Sequence, residues 1–95
     1  MSAYIVFMRE RLRDTAELDR YSKMAGPSLA GHAAKPIASY GDCETLEGAP
    51  IEGAVILEFP TLEAARNWYD SPAYREARQH RFKGADYRVF TIKGA

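Results

Sequence analysis

The chain has 95 residues, 46% of them hydrophobic, which makes one domain small enough to gain stability by sharing a core with a partner. Its 13 basic and 13 acidic residues cancel, so there is no electrostatic basis for general binding to nucleic acid or to an anionic membrane. A single cysteine, Cys43, cannot close an internal disulfide, and no segment is apolar for long enough to span a bilayer or act as a signal sequence. The chain therefore reads as a soluble, cytoplasmic single domain over residues 1–95.

Ala3 to Met8, AYIVFM, is nearly all apolar and rich in strand formers, the pattern of a strand buried on both faces. The charged segment RERLRD reads as a loop leading to Asp14, an N-cap with Glu17 three residues on. Leu18, Tyr21 and Ala25, with Met24 beside them, give the following helix an apolar face until Gly26-Pro27 interrupts it, and Ser28 to His32 can add one further turn. Lys35 to Gly48 is mixed in polarity and carries Pro36, which cannot donate to a ladder, so an edge strand is expected there. GAVILEF, Gly53 to Phe59, is a second apolar strand.

Thr61 caps the second helix, whose buried face is expected to carry Leu62, Ala65, Trp68 and Tyr69. At Asp70-Ser71-Pro72 the helix breaks and restarts, with Ser71 as cap, Pro72 at the first position, and Tyr74, Ala77 and Phe82 carrying the apolar side onward. YRVFTI, Tyr87 to Ile92, is the last strand. The order βαββαβ, with right-handed crossovers, predicts a ferredoxin-like α+β sandwich with strands one and three parallel in the centre of a four-stranded antiparallel or mixed sheet and strands two and four at its edges. The helices can cover only one face of such a sheet. Its other face is expected to be covered by a second copy of the chain, a homodimeric interface of about 1,600 Å².

Leu57 to Tyr74, LEFPTLEAARNWYDSPAY, resembles the signature of the domain-of-unknown-function 1330 family, small proteins of the dimeric α+β barrel superfamily. Leu57-Glu58-Phe59-Pro60, Glu63-Ala64-Ala65, Trp68-Tyr69, Ser71-Pro72 and Tyr74 carry the likeness. The resemblance implies a homodimer whose two sheets close into a barrel-like core. Around GHAAKPIASYG the chain departs from that pattern, with His32, Ala33-Ala34 and Ser39 where an aromatic, a glycine pair and an arginine would stand, so no role is carried over for that stretch.

The family has no assigned reaction, so each candidate residue stands beside its ordinary structural reading. His32 suits a general base, or is a solvated histidine at a helix end. Glu58, interrupting an apolar strand, suits a general acid, or is a strand-end carboxylate reaching solvent or an arginine. Tyr4, Tyr21, Tyr40 and Trp68 suit the walls of a flat apolar ligand pocket, or are core and interface packing. His80 lies among Arg75, Arg78 and Arg81, which mark a charged helix face; it reads as a surface residue or a metal or haem ligand. Cys43 lacks a nucleophile's context.

No phosphate loop, metal-ligand spacing or nucleophile elbow occurs, so neither a cofactor nor a metal is expected. The superfamily resemblance implies relatives that are cofactor-free oxygenases, lactone isomerases and haem-degrading oxygenases. The asparagine that the haem-degrading branch uses on its first strand is absent from YIVFM, and His80 is not at that branch's spacing. Two functional readings follow. One is a homodimer binding a small apolar or aromatic molecule between sheet and helices. The alternative is a cofactor-independent oxygenase or isomerase of a small aromatic or lactone-like substrate, with His32 or Glu58 moving the proton.

Overall fold

The structure, a computed structural model, describes residues 2–95. Strand β1 (Ala3–Leu12) leads to helix α1 (Thr15–Ala25) and a 3₁₀ turn (Pro27–Leu29); β2 (Lys35–Ser39) and β3 (Gly53–Phe59) follow, then helices α2 (Leu62–Tyr69) and α3 (Pro72–Gly84), and β4 (Ala85–Lys93). The four strands form one sheet in the order β2-β3-β1-β4, every neighbouring pair antiparallel. β1 and β3 do lie in the centre, but they run antiparallel, not parallel. The crossover through α1 joins β1 to β2, which share a direction without being neighbours, and the reversal before β3 sends that strand back between them.

Local capping sets the helices as the residue types demand. Asp14 accepts from the Glu17 amide at 3.2 Å and Thr61 from the Ala64 amide at 3.0 Å. Ser71 makes the corner between α2 and α3: its hydroxyl donates to the Trp68 carbonyl at 2.7 Å and accepts from the Tyr74 amide at 3.4 Å. One side chain thus ends a helix and starts the next, and Pro72 gives up an amide that would have had no partner.

Tertiary pairing moves two strand boundaries from where local pattern puts them. β1 continues through the charged residues Arg9–Leu12 because β4 pairs with them, Arg11 opposite Asp86 and Leu12 opposite Ala85. β2 is only five residues long, because Tyr40 turns into the left-handed region at φ 52° and takes the chain off the sheet edge.

Within one chain the helices bury one face of the central strands, and the other face, for which a second copy is the expected cover, is open. The residues alternate. Ala3, Ile5, Phe7, Leu57 and Phe59 face the helices and are buried, whereas Tyr4, Val6, Met8, Ala54, Ile56 and Glu58 face the other way and are half-exposed. The core closes on the helix side with Leu18 and Tyr21 from α1, Ala65 and Trp68 from α2, and Tyr74 and Ala77 from α3. Trp68 is its hub, edge-on to Phe7 with centroids 6.2 Å apart and 4.1 Å from the Tyr74 ring. Such aromatic pairs add roughly 0.5–1.5 kcal/mol each beyond the area they bury. On α3 the buried face is Tyr74, Ala77, Arg81 and Gly84; Phe82, expected inside, is 49% exposed, and Arg81, expected on a charged outer face, is only 3% exposed.

Candidate functional site

The helices do not fill all the space over the sheet. Between β2 and β3 below and α1 with its 3₁₀ turn above lies a cavity of about 370 Å³, within the range that ordinary small-molecule sites occupy. Its floor is Phe7, Val55 and Leu57, its roof Tyr21, Ala25 and Leu29, and its inner end Trp68. Pro36, Ser39 and Tyr40 form the edge toward β2. The Gly26-Pro27 interruption explains the space: α1 stops there, and the 3₁₀ turn that replaces it reaches only far enough for Ser28 Oγ to accept from Trp68 Nε1 at 3.1 Å. That bond satisfies the only donor of the buried indole and fixes its plane against the cavity.

Around the cavity stand paired phenols. Tyr21 and Tyr74 share a hydrogen bond of 2.9 Å in the core, and Tyr40, at the end of β2, reaches across the sheet to share one of 2.6 Å with Tyr87 of β4. Burial, followed by the neighbouring phenol, raises the Tyr21 hydroxyl far above the ordinary phenol range, and burial with the Tyr40 bond raises Tyr87 likewise. Burial also raises Tyr74, while Arg81 pulls it back. At neutral pH the Tyr21, Tyr74 and Tyr87 hydroxyls are protonated. Tyr40 is held by backbone and side chain alike: its ring edge approaches so close to Gly53 that a Cβ there would sit 2.9 Å from it, and the Arg9 guanidinium lies 5.3 Å from its centroid.

Arg81 is the anomaly of the site. Its guanidinium stacks on Phe7, Phe82 and Tyr87 at 5.7, 5.0 and 5.1 Å, donates to the Tyr69 hydroxyl at 3.4 Å, and leaves Nε without a partner. Among the described residues it forms no ion pair with a carboxylate. The sequence places it beside two other arginines, and nothing in the local pattern signals that it turns inward to rings supplied by β1 and β4.

Three residues singled out from sequence meet at the cavity: Tyr21, Tyr40 and Trp68. Tyr4 does not join them, since it points to the opposite sheet face, where its hydroxyl donates to Glu58 at 3.4 Å. Glu58 shares that face, and His32 sits half-buried in the connection after the 3₁₀ turn, so neither candidate for proton transfer lines the cavity. His80 bonds the Glu17 carboxylate at 2.6 Å, tying α3 to α1, and Cys43 is exposed. Among the described residues there is no group of three or more histidine, cysteine or acidic side chains arranged to hold a metal, and no helix is long and apolar enough to cross a membrane. The site offers an apolar, aromatic slot edged by hydroxyl donors.

Residues 2–95 match the model of a domain of unknown function, DUF1330, so the chain belongs to that family. Solved structures share the fold. A protein of unknown function from Rhodopseudomonas palustris is 20% identical, with a TM-score of 0.75 over 99% of this chain and 82% of that one. A dimeric ferredoxin-like protein of unknown function from Thermobifida fusca is 15% identical, with a TM-score of 0.68 over 97% and 90%. SnoaB, a cofactor-independent oxygenase from Streptomyces nogalater, is 8% identical, with a TM-score of 0.63 over 99% and 93%. At these identities the likeness carries the ferredoxin-like α+β fold and no more. No curated protein matches the chain.

Proposed function

We propose that the protein, a member of the DUF1330 family, is a homodimer in which each chain binds one small apolar or aromatic molecule between its sheet and its helices. The observation that carries this reading is the cavity of about 370 Å³ walled by Phe7, Tyr21, Leu29, Val55, Leu57 and Trp68. The space opens to solvent along Ser22, Gly26, Pro36, Ser39 and Tyr40, so a small molecule can enter it and bury the apolar walls. Here the 3₁₀ turn and the Trp68–Ser28 bond hold it open.

Assembly is argued from the opposite face. Val6, Met8, Ala54 and Ile56 are half-exposed there, and Phe90 and Ile92 of β4 are 45% and 52% exposed, a continuous apolar surface across three strands. The dimeric description of the Thermobifida fusca protein supports a second copy as its cover. Light scattering at micromolar concentration should give twice the chain mass; a compact monomer would refute the assembly.

Binding is tested with 1-naphthalenemethanol, a flat neutral probe, read by the fluorescence of Trp68, the protein's sole tryptophan. Saturable quenching at one site per chain is expected, weakened at least about tenfold in Ser39→Phe, which fills the cavity from the edge strand. Absent or non-saturable quenching, or quenching indifferent to that substitution, would end the reading. The alternative, a cofactor-independent oxygenase or isomerase, draws support from the fold shared with SnoaB. It would need a proton-transfer group other than His32 or Glu58, because neither lines the cavity and burial holds the Tyr21 phenol there in the protonated form.

A further inference from the structure

Resting on the cavity reading, we infer that the preferred ligand is an apolar acid: a flat or hydrocarbon body in the cavity with one anionic group, a carboxylate or an equivalent oxyanion, turned toward the Tyr40–Tyr87 end. The Arg81 guanidinium, which is 3% exposed and, among the described residues, has no carboxylate beside it, is a costly thing to bury, and proteins ordinarily pair such a charge. The ring faces of Phe7, Phe82 and Tyr87 and the Tyr69 hydroxyl compensate it in part, and its Nε has no partner at all.

Its position relates this charge to the cavity. Phe7, whose ring carries the guanidinium, is the cavity floor, and Tyr87, which carries it on another side, is bonded to Tyr40 at the cavity edge. The positive charge is therefore one aromatic ring away from the bound body, across the buried Phe7 ring. Arg9 adds a second guanidinium over Tyr40, although Glu52, at 3.2 Å from its Nε, offsets it.

The phenol pair supplies the contact. Two hydroxyls joined by one hydrogen bond use one proton between them, and if Tyr87 donates to Tyr40, the Tyr40 proton is left for an acceptor in the cavity. Ser39 adds a hydroxyl to the same lining, whereas the Ser22 hydroxyl is spent on the Leu18 carbonyl at 3.0 Å, and among the described residues no carboxylate lines the cavity to repel an anion. A neutral ligand would satisfy the hydroxyls and leave the charge of Arg81 unanswered; an acid would answer both.

The test compares 1-naphthoate with 1-naphthalenemethanol at neutral pH, both read by Trp68 fluorescence, in the wild type, Arg81→Met and Arg81→Lys. Naphthoate should bind the wild type about tenfold more tightly than the alcohol. Arg81→Met should abolish that preference, lowering naphthoate affinity about tenfold more than alcohol affinity, and Arg81→Lys, which keeps the positive charge, should keep most of it. A purely structural arginine would shift both affinities together. Equal or weaker binding of the acid by the wild type overturns the inference and leaves the cavity reading standing, as does a preference that survives Arg81→Met. Failure of both probes to bind overturns the two together. Should Arg81→Met not fold, the wild-type ratio and its retention in Arg81→Lys still decide.

Discussion

On the helix side of the sheet, Ile5, Phe7, Leu57 and Phe59 are buried, yet the cover over them is incomplete and a ligand-sized cavity remains. One residue along each strand, Val6, Ile56, Phe90 and Ile92 are apolar too, but no element of the chain lies over them. The same strands thus present two apolar surfaces with different defects. One lacks a small volume under a roof already in place, which suits a small molecule; the other lacks a whole layer, which suits another sheet. The shape of the deficit, more than its hydrophobicity, is what sets the proposed binding site apart from the proposed interface.

The comparison breaks first at the open face. Ile56→Glu puts a charge at the centre of that surface, and the dimer should weaken by at least about a hundredfold in sedimentation or light scattering, with the circular dichroism of the fold unchanged. A dimer that persists would locate the interface elsewhere. On the helix side Trp68→Ala should cost about 3–5 kcal/mol in denaturant unfolding, since it removes the hub of the aromatic core. Gly84→Ala should cost about 1–3 kcal/mol, because the new Cβ would meet the Leu18 backbone nitrogen at 2.8 Å and push α1, the cavity roof, away from α3. Tyr21→Phe should cost about 1 kcal/mol by deleting the bond to Tyr74, while leaving the shape of the cavity intact.

The smallest effect is expected from pH. The His80 hydrogen bond first, and then the Arg20 charge, hold the Glu17 carboxyl below the usual carboxylate range, against an opposing effect of burial. A lowered folded-state value stabilises the fold above the unfolded carboxylate range and loses that contribution as pH falls through the folded value. Unfolding midpoints should therefore drop slightly more steeply below about pH 4.5 in the wild type than in Glu17→Gln. Parallel curves would show that the His80–Glu17 contact carries no pH-dependent stability.

Much of the fold is legible in the sequence because its signals are local. Asp14, Thr61 and Ser71 cap the helices they precede, the break at Asp70-Ser71-Pro72 is a corner made by one serine, and Trp68 on the last turn before it points inward. What stayed hidden depends on neighbours distant in the chain. β1 runs on through Arg9–Leu12 only because β4 is there to pair with it. The central strands read as doubly buried because an uncovered apolar face and a covered one look the same in a run such as YIVFM. Tyr4 belongs to one face and Tyr21, Tyr40 and Trp68 to the other, a division set by register rather than by residue type. Arg81 was hardest to foresee, since a helix with three arginines at this spacing looks like a solvated surface until the rings of Phe7 and Tyr87 are placed beneath it.

The most direct test is a crystal structure of the protein grown with 1-naphthoate. The naphthalene rings are expected between β3 and α1 against Trp68, the carboxylate toward Tyr40, and the open face pressed against a second copy through Ile56 and Phe90. Rings bound on the open face, or a helix side collapsed over an empty core with the other face free, would contradict this arrangement.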